Sequence, residues 1–510
     1  MIRLMGLLSV LLTIAPLIGI AALIVFPPQD PFGGEPPSLG LLFVQTGLTK
    51  LFVNSMMVSL LSALFATLVG GWLAWVEHRS TYVGKKGLIA LSLILLATPS
   101  YILAATLSSR LNTIASPYFR FEGLSASIVC LTLVCIPYGQ LTISSALSRV
   151  SGSEEQAAKV LGASSFQAFK VAIWPQIKDA VALSFFISFL YALSDFGAVA
   201  TLDAPVLTWR LYEAIRAQDL ARAAILGLAS LVATIPIFVL VNWLRGTPNR
   251  TANPVQPEAK SLKGFALVGT YGIHSVLIVL GLILPVLELL VWISDGVNRQ
   301  LTFVSQWDAT FATLLLSVVG ALLTLIMVLS PAWLYVQRSS LYKNAVYLSS
   351  ALPGVLLAFG LMVTCLFITK YTGGYAMILG SGTLLFLGYS MRFMSEAFGP
   401  VASSMTQLNP RLAETAKVLD RFPNDWLKKV FVPYMTPSVL RAFLLVFLAC
   451  MKDLPITLLL GGATGFRTLA FRTWDRYNEA LWHDAGFSGL ILLLTAFVIT
   501  TVTLRWKTNA

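Results

Sequence analysis

Three ionisable residues stand where water is scarce. Asp195, Lys452 and Asp453 fall inside apolar runs of a 510-residue chain that is 57% hydrophobic and 11% charged. An ionisable group at the bilayer centre costs roughly 2.5–3.5 kcal/mol on insertion scales, so it faces a cavity, a path or a partner. Two chemistries fit. The three charges can line a translocation path or outer gate, with Pro455 freeing a backbone carbonyl and kinking the helix beside them. Or they can lock helices together, Lys452 against Asp195 for instance. Both readings stay open. Other chemistry is poorly supplied. His78, His274 and His483 are scattered, and Cys130, Cys135, Cys365 and Cys450 lack ligand spacing. No metal site, disulfide framework or cofactor is therefore expected. The chain has no GxxxxGK[ST] phosphate loop and no Ser/His/Asp constellation, so it is not expected to bind or hydrolyse ATP and no catalytic residue is expected.

What must position those charges is a membrane bundle. A soluble domain carries about 25% charged residues, whereas this chain combines 11% with a mean hydropathy of +0.80. Runs of about 20 apolar residues cross a bilayer as helices. Such runs fall near residues 4–26, 54–77, 87–108, 124–146, 180–201, 223–244, 265–293, 311–336, 346–369, 375–391, 438–460 and 486–504. The first run lacks a small-residue cleavage site and is long for a signal peptide, so it is read as a span. The expectation is an all-α integral membrane protein with twelve transmembrane helices.

The net charge of +12 is read as the positive-inside bias of a multi-pass protein, not as a nucleic-acid surface. With both termini cytoplasmic, about twice as many Lys and Arg face the cytoplasm as face outward.

The chain is built twice. A constant offset of 258 residues carries "AKVL" at 158–161 onto "AKVL" at 416–419, Pro175 onto Pro433 and Asp195 onto Asp453. The polar, proline-containing segment 245–263 follows the sixth run and reads as a cytoplasmic linker. It separates a first half, 1–244 with a cytoplasmic loop 147–179, from a second half, 264–510 with a loop 392–437. Six helices per half give parallel, pseudo-symmetric repeats. The repeat sets Asp195 and Asp453 at equal depth on the external side, with Ser194 where the second half has Lys452.

Each cytoplasmic loop holds about 30 residues where a handful would connect two spans, and each reads as helix, turn, helix, the second piece ending near Pro175 or Pro433. Small residues such as Ala157 and Ala158 allow close approach by another protein. The external segments 208–224 and 471–485 read as amphipathic surface helices, with or without a partner.

The loops resemble the "EAA" loop of ATP-binding-cassette importer permeases. The first reads Gln156-Ala157-Ala158, Gly162, Pro175; the second reads Glu414-Thr415-Ala416, Asp420, Pro433. The first half lacks the family's Glu, with Glu155 one residue away, and the second lacks its Gly. "ALPGVLLAFGLM", "SDFGAVATL" and "MKDLPITLLL" extend the resemblance, which is similar to the fused two-half permeases of ferric-iron and thiamine importers. It implies coupling loops docked on an ATP-binding-cassette ATPase homodimer, an extracytoplasmic substrate-binding protein, and a location in the bacterial inner membrane. The competing reading is a twelve-helix secondary transporter driven by an ion gradient. It is disfavoured because the long structured loops lie within each half, between the fourth and fifth spans.

Overall fold

In the computed structural model, the described residues are 2–25, 46–114, 120–244, 259–337, 340–369, 374–408, 414–415, 418 and 426–508. Among them the regular structure is helical apart from a two-residue parallel ladder, Ser80–Thr81 with Lys260–Ser261. Among the described residues, eight helices are long and apolar enough to cross a bilayer, and ten if two bent pairs each count as one span. Of the twelve expected runs, the first and the tenth fall outside that set.

The helices in chain order are α1 (Ile2–Val25), α2 (Leu48–Arg79), α3 (Lys85–Leu93), α4 (Ser100–Ile114), α5 (Gly123–Leu147), α6 (Gly152–Val160), α7 (Ser165–Ser194), α8 (Gly197–Thr201), α9 (Leu207–Arg216) and α10 (Leu220–Leu244). After the linker come α11 (Gly264–Asn298), α12 (Trp307–Val336), α13 (Ser340–Ala351), α14 (Gly354–Thr369), α15 (Tyr375–Gly380), α16 (Thr383–Arg392), α17 (Met394–Gln407), α18 (Lys428–Lys452), α19 (Leu469–Asn478) and α20 (Trp482–Thr508).

The chain divides into two compact units. The first comprises residues 44–210 and 229–291, the second 1–43, 211–228 and 292–510. This division cuts across the sequence repeat. Helix α1 belongs with the spans of the second half, and residues 264–291 belong with those of the first.

In the first unit, α2 crosses α5 at small residues. A Cβ on Gly70 would lie 2.7 Å from the Gln140 nitrogen, and one on Gly139 would lie 2.9 Å from the Ala66 oxygen. Only glycine lets the backbones meet so closely, which is how helices associate in lipid without a hydrophobic driving force. Leu103, Cys130, Leu131 and Cys135 are buried beside this crossing, together with Leu277 of α11. In the second unit, α1 meets α14 the same way. A Cβ on Gly360 would lie 2.5 Å from the Pro16 oxygen, and Thr364 Oγ1 donates to the Ala15 carbonyl at 2.7 Å.

Three expected spans are not simple rods. The third and ninth are bent, by 101° between α3 and α4 and by 102° between α13 and α14. The breaks fall at Pro99 and Pro353. Proline has no N–H for the helix ladder and drives its predecessor out of the helical region; Thr98 is extended, with φ −76° and ψ 117°. The tenth, expected at 375–391, is two pieces, α15 and α16. Gly382 (φ +77°) separates α15 from α16, and Phe393 interrupts the passage from α16 to α17. Helix α17 then runs on to Gln407 with Met394, Ala397, Phe398 and Val401 buried. The segment 392–407 is therefore helix, although its serines and Glu396 give it the polarity of a loop.

Candidate functional site

The first-half loop is built from local rules. Ser151 opens α6, its hydroxyl accepting from the Ser153 nitrogen, and Glu154 and Glu155 occupy the first turn, where the helix dipole favours acids. Gly162 ends it at φ +88°. The Gly162 N–H donates to the Lys159 carbonyl and the Ala163 N–H to the Ala158 carbonyl, both at 3.0 Å. That left-handed closure suits glycine. A capping box between Ser164 and Gln167 starts α7.

The second piece does not end at Pro175. Helix α7 runs through it by a π-helical turn, Phe169–Ile173. Proline removes the hydrogen bond to the fourth residue back and crowds that carbonyl, and a π turn gives the carbonyl room. The second half repeats the device with a π-helical turn at Leu427–Phe431 ahead of Pro433. The two turns obey the offset of 258.

On the loop surface, Gln156 and Ala157 are exposed and Ala158 is half-buried. The apolar side chains around them are bare: Val160 is 86% exposed, Leu161 87%, Phe166 75% and Val171 72%. In the second loop Glu414 and Thr415 are exposed, and Val418, the repeat partner of Val160, is 85% exposed. Pro175 and Pro433 are exposed too. Ala416 and Asp420 lie outside the described residues. Glu155 does not stand in for the missing acid beside Gln156. It turns inward to Arg79 and pairs also with Lys159. Burial pushes its carboxyl up, but the hydrogen bonds and charges of Lys159 and Arg79 outweigh that and hold it below the usual glutamate range.

The membrane carboxylates sit at helix breaks. The fifth span of the first half stops at Ser194 and resumes at Gly197; that of the second stops at Lys452. Asp195 (φ −66°, ψ 136°) and Asp453 (φ −68°, ψ 130°) adopt the same extended backbone. Each carboxylate accepts the N–H three residues on, Ala198 at 2.9 Å and Ile456 at 3.0 Å. These are N-caps at breaks in apolar runs, where an orphaned N–H would find little water. The second oxygen of Asp195 accepts from Ser100 Oγ at 2.6 Å.

Both breaks need close approach to the bent span. A Cβ on Gly197 would lie 2.9 Å from Ser100 Oγ. In the other unit the glycine is on the opposite partner: Pro455 stands at the position of Gly197, and a Cβ on Gly354 would lie 2.7 Å from its ring. Pro455 also completes the break that its position suggested.

Lys452 sits in the field of Glu396, and Asp453 in that of Arg392. Arg392 donates to the Leu352 carbonyl at the break of the ninth span. Neither Arg392 nor Glu396 stood out in the sequence, because both fall in the stretch that reads as a loop.

Helices α9 and α19, in the segments expected to be external, are anchored by a repeated bond. The Leu207 N–H of α9 donates to Ser55 Oγ at 2.9 Å, and the Leu469 N–H of α19 to Thr313 Oγ1 at 2.7 Å. Ser55 and Thr313 are again 258 apart. Arg472 adds a bidentate pair to Asp308, at 3.1 and 2.5 Å. The four cysteines are buried and free, and no cluster of metal-ligating side chains occurs among the described residues.

The sequence resembles those of known proteins. Residues 66–247 match the family described as the binding-protein-dependent transport system inner membrane component. The Fe(3+)-transport system permease protein FbpB 2 of Haemophilus influenzae is 26% identical over 473 residues, 90% of each chain. The thiamine transport system permease protein ThiP of Escherichia coli is 24% identical over 484 residues, 87% of this chain and 86% of that one. This chain is a fused two-half permease of an ATP-binding-cassette importer. The probable sulfate transport system permease protein cysT of Prototheca wickerhamii is 28% identical over 203 residues. That is 78% of its own length but 36% of this chain. Membership sets aside the ion-gradient transporter. The permease is a multi-pass protein of the inner membrane that works with a separate ATPase and a substrate-binding protein, and is not itself the ATPase.

Proposed function

We propose that the permease docks two copies of one ATPase, one on each cytoplasmic loop, and passes a ferric ion or thiamine from a binding protein across the membrane. The observation that carries the docking is the bare apolar surface at matched repeat positions, Val160 and Val418. Apolar side chains left uncovered on a cytoplasmic loop gain roughly 1.5–3 kcal/mol each when a partner covers them. Gln156, Ala157, Ala158, Gly162 and Pro175 form the first docking element. Glu414, Thr415, Ala416, Asp420 and Pro433 form the second. ATP closes the ATPase pair, the loops move together, and the path opens outward; hydrolysis reverses this. Lys452, Asp453 and Pro455, with Asp195, line the path on its outer side. Both termini are cytoplasmic, and residues 1–244 and 264–510 are the duplicated halves.

The substrate classes come from the relatives named for Fe(3+) and thiamine transport. The test is reconstitution with a candidate ATPase and binding protein from the same organism. Two ATPase copies per permease and ATP-dependent uptake of radiolabelled ferric ion or thiamine are expected. A one-to-one complex, or uptake of neither compound, would overturn the corresponding part.

The two loops are unequal, so their substitutions are too. Glu414→Ala removes an exposed charge from the second loop, whereas Gln156→Ala removes a neutral amide from the first. Charge-assisted hydrogen bonds are about twice as strong as neutral ones. The expected result is a larger loss of uptake for Glu414→Ala at equal protein level; equal uptake rates would remove the distinction.

A further inference from the structure

Arg79 ends α2, the second span, and it is buried. Its guanidinium donates to Glu155 on the coupling helix α6 and lies 5.3 Å from the centroid of the Trp75 ring. Trp75 in turn meets Phe169 edge-on, at 5.4 Å, in the π turn that leads to the fifth span. Its Nε and Nη2 find no other hydrogen-bond partner among the described residues. A buried cation with one carboxylate partner holds that partner firmly, because parting them strands the charge.

The next residues continue the connection. Ser80–Thr81 pair with Lys260–Ser261 at the end of the linker, and the Leu262 N–H donates to the Thr81 carbonyl at 3.0 Å. Tyr82 Oη lies 3.2 Å from His274 Nε2 on α11, and His274 Nδ1 lies 2.7 Å from Ser92 Oγ. Four successive residues, 79 to 82, thus touch the coupling helix, the linker and the first helix of the second half. All lie in one compact unit.

We propose that Arg79 is a positioning residue that fixes the first coupling helix to the second span, so that displacement of α6 by the ATPase is passed rigidly to α2 and, through the ladder, to α11. The offset of 258 does not carry the pair's residues into the second half. At the offset of 258, Gln337 stands for Arg79 and Ala413 for Glu155, while Trp333 stands for Trp75. The second half keeps the aromatic contact, Trp333 to Phe431 at 6.3 Å, without the ion pair's residues. The positioning role of Arg79 rests on the docking proposed above.

The test uses spin labels on cysteines at Ser153 in α6 and at Val83 after α2, both exposed, in the permease–ATPase complex. The distance distribution is measured by pulsed electron–electron resonance without nucleotide and after trapping with ATP and vanadate. With Arg79 present, one narrow distribution is expected, the same in both states. Arg79→Gln is expected to broaden it and make it nucleotide-dependent, and the reversed pair Arg79→Glu with Glu155→Arg to narrow it again. Stimulation of ATP hydrolysis by loaded binding protein should fall about tenfold in Arg79→Gln, within the usual span of coupling energies. A distance that changes on trapping in the unaltered chain would overturn the proposal, as would an Arg79→Gln distribution matching the unaltered one. Should Arg79→Gln fail to accumulate, Glu155→Gln is measured with the same labels and the same two outcomes. If the unaltered chain retains no ATPase, the docking reading fails, and the label widths in the permease alone still decide whether the brace exists.

Discussion

A chain carrying Leu161→Asp and Val418→Asp is expected to reach the membrane at normal level and to emerge from purification without its ATPase. Both side chains are bare, so neither change disturbs a core, and surface changes of this kind usually alter stability by less than about 0.5 kcal/mol. Covering a Leu or Val is worth roughly 1.5–3 kcal/mol. Losing both comes to about 3–6 kcal/mol, or roughly 10²–10⁴-fold in affinity, before the cost of burying two carboxylates is counted. Ala157→Asp with Ala416→Asp should act the same way through close approach, at lower cost per site because alanine buries less surface. Affinity purification with quantitation of the bound ATPase reads the outcome. Stoichiometric ATPase on the Leu161/Val418 variant, with normal uptake, would remove these positions from the docking surface.

The repeat and the membrane class were legible because they rest on a fixed residue offset and on composition. The offset proves finer than a sequence comparison shows. It carries the π turn before Pro175 onto that before Pro433, the cap of Asp195 onto that of Asp453, and Ser55 onto Thr313 at the starts of α9 and α19. The bent spans were less legible. Pro99 and Pro353 are visible, but the apolar run on either side reads as one helix by hydropathy alone. Segment 392–407 misled in the other direction, since its serines and Glu396 look like a loop and are helix. Glu155 could not be oriented from sequence, because its partner Arg79 lies 76 residues earlier and helical spacing does not name partners on other elements. Val160 and Leu161 were in view as half of "AKVL", but a repeat signature does not say which of its residues stay uncovered. The membership of α1 with the second-half spans was illegible for a related reason. A lipid-facing apolar helix carries little record of its neighbour beyond small residues such as Gly19.

Asp195→Asn and Asp453→Asn are expected to preserve protein level while lowering uptake, and the alanine substitutions to lower both. The asparagine oxygen can still accept from the Ala198 or Ile456 N–H, which lie 2.9 and 3.0 Å from the carboxylates. Alanine cannot, and a buried N–H without a partner costs about 1–3 kcal/mol. That exceeds the roughly 1 kcal/mol of an ordinary exposed cap, because little water reaches the break to replace it. Asp195→Ala should be the more damaging, since it also strips Ser100 Oγ of its acceptor. The uptake readout is separate from the level. In the second half Asp453 answers the charge of Arg392 and Glu396 that of Lys452. Neutralising Asp453 removes a negative charge from the field of Arg392, which changes the field along the proposed path without removing the cap. Membrane levels by immunoblot and uptake per molecule in vesicles resolve the two roles independently. If the asparagine variants disappear from the membrane as the alanine variants do, capping is not what these residues supply. If they accumulate and transport at the unaltered rate, the aspartates shape the broken helices and their charge has no part in the path.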